Sequence, residues 1–208
     1  MNDRAPTDRP HARRPGRLAI LLMLLAAPSL TGCQRAEGEQ GPIAGSSVGG
    51  PFSLIDQNGK RVRDTDFNGR YRLIYFGFAN CPDVCPVDLQ VMSAGLKQLE
   101  EKDPERAAHV QPIFITVDPK RDTPEMLKAY VSNFHPRLIG LTGSEAEIEA
   151  AKKEYGIAGL KGEARPDGGY DVDHSRYLLL FGPKGDPIAI VPHEAPGRVA
   201  AELDRWVR

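Results

Sequence analysis

Cysteine is scarce in this chain: three in 208 residues, at Cys33, Cys81 and Cys85. That excludes a disulfide-stapled scaffold, since a bridge between Cys81 and Cys85 would close a loop too short to stabilise much. An excess of charge of one sign is also missing. The formal net charge is −1, which leaves no basic surplus for nucleic acid. The apolar run at residues 18–28 falls short of the roughly 20 residues that a comfortable transmembrane helix needs. No internal repeat is present.

What the N-terminal region does have is an address. Residues 1–17 are polar and carry Arg4, Arg9, Arg13, Arg14 and Arg17. A basic stretch followed by a short apolar core is the pattern of a signal peptide. It ends in Leu30-Thr31-Gly32-Cys33, which resembles the bacterial lipobox. That resemblance implies cleavage before Cys33 and lipid on that cysteine. A signal peptide with an incidental cysteine and an uncleaved anchor are the alternatives. Residues 1–32 are therefore expected to be signal. Residues 33–50, rich in Gly, Ser, Gln and Glu, are expected to be a flexible tether, and 51–208 a single domain with its own core. Cys81 and Cys85 then lie outside the cytoplasm, where disulfides persist.

Within the domain, residues 52–62 read as a hairpin turning at Asn58-Gly59. Residues 72–78 and 110–117 read as buried strands, and 138–141 as a short one. Leu89, Met92, Leu96 and Leu99 recur at helical spacing up to Lys102. Asp122-Thr123-Pro124 starts a helix running to about Phe134, and residues 144–155 form another. Residues 156–169 are Gly-rich and read as irregular; 177–181 and 188–191 read as a second hairpin, and 196–207 as a last helix. Strands alternating with helices imply parallel central pairing with right-handed crossovers. The pattern predicts an α/β fold, a thioredoxin-like mixed sheet flanked by helices, with an added N-terminal β-hairpin.

The chemistry centres on Cys81-Pro82-Asp83-Val84-Cys85-Pro86, between a buried strand and a helix. Proline is welcome in the first helical turn and costs about 3 kcal/mol in the interior, so the helix is expected to begin at Pro86. Cys85 would then sit where the helix dipole favours a thiolate. Four helical residues span about 6 Å, within the roughly 6.8 Å that a disulfide tolerates and suited to two sulfurs on one metal ion. Both chemistries stay open. The metal reading needs a third ligand, and His174, just before the strand at 177–181, is the candidate. Taken alone, that histidine is a hydrogen-bonded loop residue. Two thiolates select Cu(I), and an imidazole lets the site hold Cu(II) as well. Zinc prefers a fourth ligand, which is not evident. Asp173 is placed to orient the ring. Asp118 ends a strand near the site, and Asp122 and Thr123 read as helix caps; an indirect role of this segment in shaping the cysteine loop is the alternative. His109, His135 and His193 read as surface histidines, Met92 and Met126 as core, and Trp206 as packing the last helix onto the sheet.

Four segments together resemble the SCO/SenC family of copper-binding proteins: residues 77–86, Val117-Asp118-Pro119-Lys120-Arg121-Asp122-Thr123-Pro124, Gly140-Leu141-Thr142-Gly143 and Val172-Asp173-His174-Ser175. The resemblance implies copper held by Cys81, Cys85 and His174. It also implies a role in assembling cytochrome c oxidase, with the oxidase copper-site subunit as partner. Other copper chaperones or thioredoxin-like reductants are further partners it suggests. The family's usual anchor is a membrane helix; a lipobox-like segment stands here instead, and it is expected still to tether the domain to the periplasmic side of the cell membrane. Two other functions compete. One is a thiol–disulfide oxidoreductase that reduces the oxidase copper-site cysteines through Cys81 and Cys85. The other is a redox or copper sensor. Against the first, thioredoxin-type enzymes resemble Cys-x-x-Cys proteins, and carry a proline where this chain has Asp173-His174-Ser175.

Overall fold

A computed structural model describes residues 39–164 and 170–208. The signal segment, Cys33 and the first part of the tether lie outside the described residues. The elements in chain order begin with β1 (Ser53–Asp56), β2 (Arg61–Arg63), β3 (Tyr71–Gly77), α1 (Val84–Lys102) and α2 (Pro104–Ala108). Then come β4 (Val110–Thr116), α3 (Pro124–Val131), β5 (Ile139–Thr142) and α4 (Glu145–Glu154). The chain closes with β6 (Gly159–Ala164), β7 (Tyr170–His174), β8 (Leu178–Phe181), β9 (Pro187–Ile190) and α5 (Pro196–Trp206). Among the described residues no helix is long and apolar enough to cross a membrane.

Seven strands form one mixed sheet in the order β2-β1-β5-β4-β3-β8-β9. β3 pairs with β4, and β4 with β5, in parallel. Every residue of β3 and β4 is buried, as near-continuous apolar runs of parallel strands should be. The expected N-terminal hairpin is β1–β2, with Gly59 at φ 78° in the turn and Asp56 Oδ1 accepting from the Asn58 and Lys60 amides at 2.8 and 2.9 Å.

The two faces of the sheet are packed differently. Tyr75, Phe114 and Gly140 stand in one cross-strand row. Over that row lie α1 and α3: Tyr75 reaches Asp88 of α1, and Phe114 meets Tyr130 of α3. Gly140 lets α3 come close, since a Cβ there would stand 3.0 Å from Val131. α5 packs on α1 where Gly95 faces Val199. On the other face Tyr155, the C-cap of α4, gathers Phe52, Phe76 and Phe181.

Residues 39–50, expected as tether, lie against the domain. The Ile43 amide donates to the Ile188 carbonyl at 3.1 Å, the Gly49 amide to the Glu154 carbonyl at 2.8 Å, and Tyr155 Oη to the Gly50 carbonyl at 3.2 Å.

Several local expectations change. α1 starts at Val84, two residues before Pro86. Proline costs little there, because the first amides of a helix have no intrahelical partner. The Gly-rich stretch expected to be irregular contributes β6, which pairs antiparallel with β7 as a separate two-stranded sheet. His174 is therefore the last residue of a strand and not a loop residue. Met92 is buried as expected, but Met126 is 46% exposed, on the solvent side of the first turn of α3. Trp206 is buried in the core, but on a helix that packs on α1.

Candidate metal centre

The C-terminal ends of β3 and β4 deliver two loops to one end of the sheet. The first runs from Phe78 into α1 and carries the cysteines. The second carries Asp118, Arg121 and Asp122. Asp122 is fully buried, and its Oδ2 accepts from the Ala79 amide at 2.9 Å and the Thr116 hydroxyl at 2.6 Å. It thus ties the cysteine loop to β4 and is not the cap expected of it. The cap of α3 is Thr123, whose side chain accepts from the Met126 amide. Asp118 is held by Arg121 Nε, and the Arg121 guanidinium lies 5.6 Å from the Phe78 ring centre.

Both cysteines are free thiols. Cys81 is half-buried, and its Sγ accepts from the Cys85 amide in the first turn of α1 at 3.5 Å. Cys85 is fully buried, with its Sγ 3.4 Å from His174 Nε2 across 89 residues of sequence. His174 Nδ1 faces the Ser175 carbonyl at 3.0 Å. A hydrogen on Nδ1 would satisfy that carbonyl and leave Nε2 with a lone pair towards the sulfur. Tyr75 and Phe78 meet the His174 ring edge-on, at 6.3 and 5.9 Å between centres.

Burial decides the state of Cys85. Desolvation pushes its thiol up to about 12, over the smaller opposing effect of the Phe78 backbone. The helix dipole therefore does not yield a thiolate in the metal-free protein, contrary to the sequence expectation. A soft cation would have to displace the proton. Among the described residues no three His, Cys, Asp or Glu side chains already stand as a metal-holding group. Cys85 and His174 are in contact, and the Cys81 sulfur is turned to the backbone of α1. The Asp173 side chain lies outside the description.

Sequence reasoning missed the group beneath this site. Asp88, 3% exposed on α1, accepts from the Tyr75 hydroxyl at 2.7 Å and from Arg176 Nε and Nη2 at 2.9 and 2.7 Å. His193 Nε2 lies 3.5 Å from the same carboxylate, and its ring meets Tyr75 edge-on. His193 is thus an interior partner, and the Asp88 carboxylate raises its pKa. His135 is buried too, facing Glu100 at 3.3 Å. Of the three histidines expected at the surface, His109 alone is exposed. An aspartate beside the apolar stripe of α1 was the available signal.

The SCO1/SenC family profile matches residues 40–208. The chain belongs to the SCO1/SenC family. Among curated relatives, the mitochondrial Protein SCO1 homolog 1 of Arabidopsis thaliana is 43% identical over 147 residues, covering 70% of this chain and 43% of the relative. The chain spans about half the length of the first such relatives, at 43%, 46% and 48%. Bradyrhizobium japonicum ScoI, solved with copper bound, is 40% identical with a TM-score of 0.70, over 77% of this chain and 99% of that one. BsSco, described as a member of the Sco family of cytochrome c oxidase assembly proteins, is 26% identical with a TM-score of 0.58, over 80% and 97%. The thioredoxin domain of a Bacteroides vulgatus thiol-disulfide oxidoreductase, 17% identical with a TM-score of 0.56 over 79% and 98%, shares the fold. The SCO1/SenC domain described here is thus thioredoxin-like, as the alternation of strands and helices suggested.

Proposed function

We propose that this SCO1/SenC domain carries copper through Cys81, Cys85 and His174 and serves in assembling the copper site of cytochrome c oxidase. The observation that carries the reading is the 3.4 Å approach of His174 Nε2 to Cys85 Sγ, with Cys81 on the turn leading into the same helix. Two sulfurs and one imidazole form a soft, low-coordinate donor set that suits Cu(I) and tolerates Cu(II). Copper here is cargo, so a site of few ligands near the surface favours exchange with a receiving protein. Binding exchanges thiol protons for the metal. Oxidation of the pair to a disulfide removes two electrons and two protons and withdraws both sulfur donors.

Disulfide reduction as the main activity is less well supported. An exchange cycle needs both an attacking and a resolving thiolate, and Cys85, one of the two, is enclosed and held protonated.

The test is copper analysis of the reduced and oxidised protein, with Cys81→Ser, Cys85→Ser and His174→Ala beside it. Copper should be retained by the reduced protein and lost on oxidation, and each variant should bind far more weakly. A His174→Ala protein with unchanged affinity and an unchanged Cu(II) spectrum would refute the ligand set. We also propose that Cys33 is lipidated and holds the domain on the periplasmic side of the cell membrane. Cys33→Ser should then move the protein from the membrane to the soluble fraction.

A further inference from the structure

We propose that Asp88 and Arg176 form a positioning clamp that holds the His174 imidazole against the Cys85 thiol. The proposal rests on His174 being a copper ligand, and the experiment below separates the two.

The two halves of the candidate centre belong to different parts of the fold. Cys85 is on α1, packed against the main sheet. His174 ends β7, which belongs to the separate two-stranded sheet. The next two residues carry the chain from that sheet to α1. The Ser175 amide donates to the Ala158 carbonyl at 2.9 Å, which keeps the chain on the hairpin. Arg176 then turns to α1 and places Nε and Nη2 on the two oxygens of Asp88 at 2.9 and 2.7 Å. Asp88 follows Cys85 by three residues, so the two share one face of the helix. A planar two-point contact fixes direction as well as distance. The segment carrying the imidazole is thereby registered against the turn of helix that carries the thiol.

The surroundings agree with a positioning role. The Arg176 side chain is 49% exposed, so the core does not require it for volume. Asp88 is 3% exposed, and a buried carboxylate persists only when its oxygens are bonded. Its third firm partner is the Tyr75 hydroxyl at 2.7 Å. The Tyr75 ring in turn forms one wall of the His174 slot, with Phe78 as another. One carboxylate thus places both the strand end that bears the imidazole and a wall against which it rests. Lysine at 176 would supply the charge without the fork.

The experiment compares Arg176→Gln, Arg176→Lys, Asp88→Asn and His174→Ala in the full-length protein. Readouts are the Cu(II) electron paramagnetic resonance spectrum, copper affinity by chelator competition, and the alkylation rate of Cys85 in the metal-free reduced state. Loss of the clamp should weaken copper binding roughly 10–100-fold, in the range found for residues that orient metal ligands. It should also change the nitrogen hyperfine pattern in the direction of His174→Ala, and speed Cys85 alkylation several-fold as the ring drifts off the sulfur. Arg176→Lys should fall between wild type and Arg176→Gln. A purely structural role would lower the urea midpoint and leave spectrum and alkylation rate alone; that result overturns the clamp. If His174→Ala alters the spectrum and Arg176→Gln does not, the clamp is wrong and the ligand set stands. If His174→Ala alters nothing, the ligand set is wrong and the clamp falls with it. Asp88 is buried and also supports the fold, so the half-exposed Arg176 carries the decision.

Discussion

A single methyl group at Gly77 would test the packing behind the thiols. Gly77 ends β3, and its carbonyl accepts from the Val117 amide at 2.7 Å. A Cβ there would stand 2.9 Å from Tyr75 Cε1, 3.0 Å from Phe114 Cε2 and 3.2 Å from Cys85 Sγ. Neither ring has room to yield. They are stacked at 6.5 Å, and the Tyr75 hydroxyl is fixed on Asp88 at 2.7 Å. Two effects oppose each other in Gly77→Ala. The unfolded chain loses freedom, which stabilises by about 0.4–1 kcal/mol where the backbone suits alanine, and Gly77 is not among the positive-φ glycines. Overpacking a well-filled site costs about 1–3 kcal/mol. Overpacking wins, giving a net loss of roughly 0–2.6 kcal/mol, and at about 2–4 °C per kcal/mol a midpoint lower by up to roughly 10 °C. Because the sulfur is the neighbour with most freedom, Cys85 should shift and copper affinity should fall with it. Urea unfolding of the metal-free reduced protein reads the first effect, and chelator competition the second. A Gly77→Ala protein that is more stable than wild type and binds copper as tightly would refute the packing argument.

Two further outcomes follow from the buried groups. Burial holds the Cys85 thiol near 12 in the fold, against an ordinary value of 9.0, so the unfolded chain loses that proton first. The resulting stability is complete below pH 9 and lost as pH rises towards 12; the urea midpoint of the reduced protein should fall between pH 9 and 10, and fall less in Cys85→Ala. Asp122→Ala strips the acceptor from the buried Thr116 hydroxyl, at about 1–3 kcal/mol, and from the half-buried Ala79 amide, which adds less. It should loosen the cysteine loop enough to weaken copper binding, while Asp122→Asn, which keeps an acceptor oxygen, should cost less; equal stability of Asp122→Ala and wild type would remove Asp122 from the account.

Local signals carried much of the fold. Thr123-Pro124 caps α3, Ser144 with Glu147 makes a capping box at α4, and Asn58-Gly59 turns the first hairpin, each within four residues of sequence. What stayed hidden was long-range. β6 reads Gly-Leu-Lys-Gly-Glu-Ala, without β-branched residues, and exists as a strand through its pairing with β7. His135 and His193 look like surface residues because their partners, Glu100 and Asp88, are remote in sequence. The approach of Cys85 to His174 followed from fold and spacing together. The state of Cys85 did not, because the dipole effect is visible in sequence and the degree of enclosure is not.

The sulfur side and the imidazole side are anchored unequally, and this sets which of them can yield. The thiols hang from a strand bonded to neighbours on both edges and from a helix wedged between sheet and α5. The ring hangs from a ribbon that shares no ladder with that sheet. On the proposed ligand set, an arriving or departing ion should displace the ribbon more than the thiols, like a latch swinging against a fixed post.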